Sequence, residues 1–81
     1  MNYTILYATK NNTVMSLDRC GNMLKVVAYD KARHDITFSE PFEYREYEKA
    51  EKRFLSMCKA NGFSEPKFIE RAEDEFSVWT D

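Results

Sequence analysis

Structure breakers are scarce and unevenly placed in this chain, and their placement limits the fold more than any other feature. The glycines are Gly21 and Gly62, and the prolines are Pro41 and Pro66. Up to His34 the sequence is cut at short intervals by turn-forming residues, whereas between Pro41 and Asn61 it runs unbroken. Short runs between turn signals suit hairpin-connected strands, and a long unbroken stretch suits a single helix.

The runs themselves have strand chemistry. Tyr3 to Thr9 is β-branched and aromatic with no breaker, and Asn11-Asn12 after it tolerates positive φ in a tight turn. Thr13 to Leu17 reads as a second strand with Met15 and Leu17 on one face. Asp18-Arg19-Cys20-Gly21 fits a type I turn, with Asp first and Gly fourth. Met23 to Tyr29 reads as a third strand. After the polar connector 30–34, Asp35 to Ser39 alternates, with Ile36 and Phe38 on one face and Thr37 and Ser39 solvated on the other. A rival reading of residues 14–32 exists: Leu17, Cys20, Leu24, Val27 and Lys31 also fall on one helical face, against Gly21-Asn22 and the β-branched pair Val26-Val27.

The unbroken stretch predicts an amphipathic helix from Phe42 to Asn61. Tyr47, Ala50, Phe54, Met57 and Cys58 form an apolar stripe. Pro41 fits a first turn, Glu40 and Glu43 complement the N-terminal dipole, Glu48 and Lys52 are spaced as an i,i+4 pair, and Asn61-Gly62 supplies the stop. Residues 64–75 fit either a short helix opening at Ser64 or a strand at Lys67 to Arg71. Phe76 to Thr80 reads as a final strand. Phe38-Ser39-Glu40-Pro41 recurs as Phe63-Ser64-Glu65-Pro66, which we read as two helix entries or turns built from the same parts and not as a true repeat.

The expected fold is therefore α+β: an antiparallel meander of four to five strands with one amphipathic helix on one face, in a single domain of 81 residues. Its predicted core comprises Ile5, Leu6, Met15, Leu17, Leu24, Val26, Ile36, Phe38, Tyr47, Phe54, Met57 and Phe76. Neither Cys20 nor Cys58 belongs to a C-x-x-C, and no apolar run reaches the length of a membrane span. The expectation is a cytoplasmic protein with free thiols and no membrane, with Cys58 packed as a small hydrophobe and Cys20 exposed in its turn.

Reactive chemistry is thin. The one histidine, His34, sits in the connector, and the scattered cysteines lack metal-ligand spacing. Glu70, Glu73, Asp74 and Glu75 come without a calcium-loop pattern, and two isolated glycines build no phosphate cradle. The expectation is a non-enzyme with no metal and no cofactor. Charge argues against duplex binding as well: up to Ser39 five basic residues face three acidic ones, and from Glu40 on seven face eleven.

Two functional readings remain. The first is a small binding module, an inhibitor or adaptor of a larger protein complex, touching its partner through Arg45, Glu46, Lys49 and Arg53 on the helix and Glu73, Asp74, Glu75 and Trp79 near the C-terminus. Trp79 either packs over the sheet or presents an anchor, and unguarded sheet edges admit a homodimer. The alternative is a single-stranded nucleic-acid binder that stacks bases on Tyr3, Tyr7 and Tyr29 beside Lys25 and Arg33.

Overall fold

The computed structural model describes residues 2–68. Phe76 of the predicted core and the predicted strand at Phe76–Thr80 lie outside the described residues. Within them the chain runs β1 (Asn2–Lys10), β2 (Thr13–Cys20), β3 (Met23–Asp30), β4 (Asp35–Glu43), a 3-10 turn (Tyr44–Glu46), α1 (Tyr47–Ala60) and β5 (Lys67–Phe68). The five strands form one antiparallel sheet in the order β4-β3-β2-β1-β5. The fold is the expected α+β meander with one helix packed on it, and the helical alternative for 14–32 is replaced by β2 and β3.

Each hairpin is closed by its local sequence. Lys10 pairs with Thr13 across Asn11-Asn12, and Asn11 has φ 54°. Cys20 pairs with Met23 across Gly21-Asn22, and Gly21 has φ 63°. Positive φ at the first loop position belongs to the primed turns, whose twist matches that of the flanking strands. This corrects the expected type I turn at 18–21. Asp18, Arg19 and Cys20 stay in the ladder, and the half-buried Cys20 is less exposed than expected. In the β3–β4 connection Asp30 Oδ1 accepts the N–H groups of Ala32 and Arg33 at 3.0 and 3.2 Å. His34 closes the turn at φ 53°, exposed.

The helix begins later than predicted. β4 extends to Glu43, so Pro41 and Phe42 lie in a strand, with Phe42 opposite Leu24 in the core. Pro41 is tolerated there because β4 is an edge strand, where a missing N–H breaks no ladder bond. The helix end is as predicted. Gly62 takes φ 73°, the Phe63 N–H donates to Cys58 O at 3.0 Å, and the Gly62 N–H reaches Lys59 O at 3.4 Å. This is a Schellman closure that satisfies the last carbonyls. Phe38–Pro41 is strand and 63–66 is an irregular connector, so the echoed tetrapeptide is neither helix entry nor turn. At the second copy Ser64 binds the edge of β1, donating N–H to Thr9 O at 2.9 Å and accepting the Thr9 N–H at 3.0 Å on Oγ. Residues 67–68 then join the sheet as strand.

The core lies between α1 and one face of β1–β4. Leu6, Ala8, Met15, Leu17, Leu24, Val26, Ala28 and Phe42 meet Ala50, Phe54 and Cys58, with Ile5, Phe38, Tyr47, Met57 and Phe63 packed around them. Ile36 is the exception among the predicted core residues: it is 54% exposed. The reason is a bulge. Ala28 pairs with Phe38 and Tyr29 with Ile36, so Thr37 is an extra residue that turns Ile36 onto the opposite face. Thr37 and Ser39 are exposed, as expected.

Candidate functional site

Four of the predicted partner-contact residues fall within the described part of the chain. Arg45 lies in the 3-10 turn, its Nε 2.6 Å from Glu43 Oε2, with most of its side chain in solvent. Glu46 ends that turn. One of its oxygens accepts the Glu43 N–H at 3.0 Å, and the other lies 3.7 Å from Lys49 Nζ. Arg53 donates to Glu40 Oε1 at 2.8 Å, tying α1 to the edge strand. The i,i+4 contact expected between Glu48 and Lys52 does not form; the helix cations with ion pairs are instead Lys49 and Arg53. Isolated exposed pairs are worth little, so nothing forces every well-spaced pair to close.

Three of the four converge, and Arg53 stands apart from them. Arg45, Glu46, Tyr47, Glu48, Lys49 and Lys52 line one open depression of about 670 Å³ at the start of α1. Arg45 links it to Glu43 at the end of β4, whose outer edge has no strand partner among the described residues. Glu73, Asp74, Glu75 and Trp79 lie outside the described residues.

The residues of the nucleic-acid reading divide between two faces. The alternation of β1 predicts Tyr3 and Tyr7 on one face. In the structure Thr4 pairs with Asp18 and Leu6 with Leu17, so Ile5 is an extra residue and the face inverts across it. Tyr3 therefore sits opposite Arg19 on the helix side, while Tyr7 sits opposite Ser16 on the other side. Tyr29 and Lys25 share that second face with Tyr7, and Arg33 is exposed in the β3–β4 turn. Tyr7 and Tyr29 are half-buried, and among them Val14, Ser16 and Val27 are buried.

Tyr3 takes part in a cluster that the sequence did not reveal. The Arg19 guanidinium lies 4.0 Å from the Tyr44 ring centroid, and its Nε donates to Gly21 O at 3.0 Å. A hydrogen bond with Tyr3 and the proximity of Tyr44 hold Arg19 above its ordinary pKa. Burial, and then Glu51, raise the Tyr47 phenol. The cluster packs the β2–β3 turn against the helix entry and absorbs an aromatic that the stacking reading needed.

The thiols differ in setting. Burial pushes Cys58 up to about 11. Cys20 is raised by burial first and by Asp18 second. Both are free, and among the described residues no three His, Cys, Asp or Glu side chains gather as metal ligands. Nor is any described helix long and apolar enough to cross a membrane. Compared with protein-family models, with curated proteins and with solved structures, the chain has no significant match in any of the three.

Proposed function

We propose that this chain is a small cytoplasmic protein-binding module, an inhibitor or adaptor that works by occupying a surface of a larger protein complex. The observation that carries the reading is the convergence of Arg45, Glu46 and Lys49 with Glu48 and Lys52 around one open depression, at the end of a strand whose outer edge has no partner among the described residues. Alternating charge of this kind selects a partner by complementarity and discourages non-specific adhesion. The adjacent strand offers main-chain hydrogen bonds to an extended segment. Arg53 and Glu46 contribute differently from Lys52, because each is already engaged in holding α1 or its entry in place.

The test is the double charge reversal Lys49→Glu with Lys52→Glu, made in a tagged chain and used to purify its partner from the native host. The expected result is loss of the partner captured by the wild-type chain, with an unchanged thermal melt. Equal recovery of the same partner by both proteins refutes this surface. The nucleic-acid alternative is supported by the shared face of Tyr7, Tyr29 and Lys25. It requires affinity for single-stranded oligonucleotides that falls steeply with salt as counterions are released. A fluorescence titration at two salt concentrations separates the two readings.

A further inference from the structure

A second concavity lies at the opposite end of α1. Its floor is apolar, made by Met15 and Ala28 from the sheet and by Phe38, Met57 and Phe63 around them, and its volume is about 380 Å³. The space exists because Met15, Ala28 and Phe38 stand side by side across β2, β3 and β4, and the middle one is an alanine. A larger residue there would fill the hollow with core-like packing. The volume suits one large side chain, and lies at the small end of the range for ligand pockets.

The pocket's one charged lining residue is a cation. Lys10 is the sole ionisable residue among those lining the pocket. Its Nζ donates to Asn61 O at 2.8 Å, which fixes the ammonium at the mouth with further N–H donors to spare. Two more lysines belong to this end of the molecule: Lys31, whose backbone N–H donates to Asn12 O at 2.8 Å, and Lys59 in the last turn of α1. Two carboxylates belong to this end as well, outside the pocket lining: Asp30, opposite Thr13, whose Oδ1 accepts the N–H groups of Ala32 and Arg33, and Asp35, which pairs with Asp30. An apolar floor beside the Lys10 ammonium is complementary to an apolar group with negative charge next to it.

We propose that this pocket is an anchor site that takes one aromatic or leucine side chain, flanked by carboxylates, from a partner protein. The inference rests on the protein-binding reading and adds a second contact to it, separate from the depression at Arg45–Lys52. The side chain fills the space above Ala28 between Phe38 and Met57, and a neighbouring carboxylate meets Lys10.

The test is a titration of the ¹⁵N-labelled full chain with an acetylated, amidated pentapeptide of one phenylalanine between two aspartates on either side. Saturable amide shifts are expected at Lys10, Thr13, Asn61 and Phe63. Lys10→Glu should weaken binding roughly fivefold or more, as loss of an exposed ion pair plus a new repulsion requires. Ala28→Leu should abolish the shifts while the melting temperature holds or rises. Lys49→Glu with Lys52→Glu should leave the affinity unchanged, so failure here is distinguishable from failure of the first surface. Absence of shifts, shifts elsewhere, or equal binding by Ala28→Leu overturns the proposal. Shifts of the same amides on dilution without peptide would assign the pocket to a second copy. The same shifts on Trp79→Ala would assign it to this chain's own C-terminal segment. Either result overturns a partner as occupant.

Discussion

Single residues in this protein are governed by the side of the sheet on which they stand. Cys58 is the clearest case. It occupies a stripe position of α1, is 3% exposed, and its thiol is pushed up to about 11 by burial. In the unfolded chain a thiol ionises near its ordinary value of roughly 8.5. Below that value both states are protonated and the favourable burial is fully present. Above it the unfolded state loses its proton first, so the folded state binds more protons and stability falls as pH rises, until the folded thiol also ionises. Thermal melts at about pH 8 and about pH 10.5 should therefore converge in Cys58→Ala relative to wild type, since the variant lacks this slope. An equal pH slope in both proteins would show that the thiol is not shielded. Ser16 is the opposite case: it is fully buried, and its Oγ has no hydrogen-bond partner among the described residues.

At the scale of elements, two bulges decide which residues do what. The extra residues Ile5 and Thr37 each shift the side-chain alternation by one position. The first moves Tyr3 to the helix side, and the second moves Ile36 to the outside. The second shift predicts that Ile36→Lys changes stability by less than about 0.5 kcal/mol, the range for an exposed position. Read as a core residue from its alternation with Phe38, the same substitution would cost several times more, since it would bury an unpaired charge. A urea titration of the two proteins distinguishes these values. The helix boundaries follow the same logic. Its C-terminus was legible because a left-handed Asn-Gly stop acts locally. Its start was not, because Glu40, Pro41 and Glu43 suit a helix entry and an edge strand equally, and only pairing with β3 selects the strand.

For the whole molecule, one side chain links every layer. Phe54 is fully buried at the centre of the only helix among the described residues and faces the sheet. Replacing such a residue by alanine costs about 3–5 kcal/mol. A core of this size leaves a net stability of roughly 3–5 kcal/mol. Phe54→Ala should therefore unfold the whole domain at room temperature, with loss of near-ultraviolet circular dichroism and a collapse of amide dispersion. A cooperative melt only slightly below wild type would show that the sheet is stable without this contact. The meander is otherwise built from neighbours in sequence. β5 is the exception, since it reaches β1 only after α1 has crossed the sheet.

Local chemistry was sufficient for the parts of this protein whose interactions lie within a few residues: the strand runs, the Asn11-Asn12 turn, the apolar stripe of α1 and its stop. The charged residues at the helix start were also readable, because a face opposite an apolar stripe must be solvated. What tertiary pairing alone decided was the sidedness of Tyr3 and Ile36, the strand identity of Pro41 and Phe42, the return of residues 67–68 to β1, and the hollow over Ala28. The reason is geometric. Strand side chains alternate with a period of two, so one inserted residue inverts everything beyond it, and only the register against a neighbouring strand records where that insertion falls.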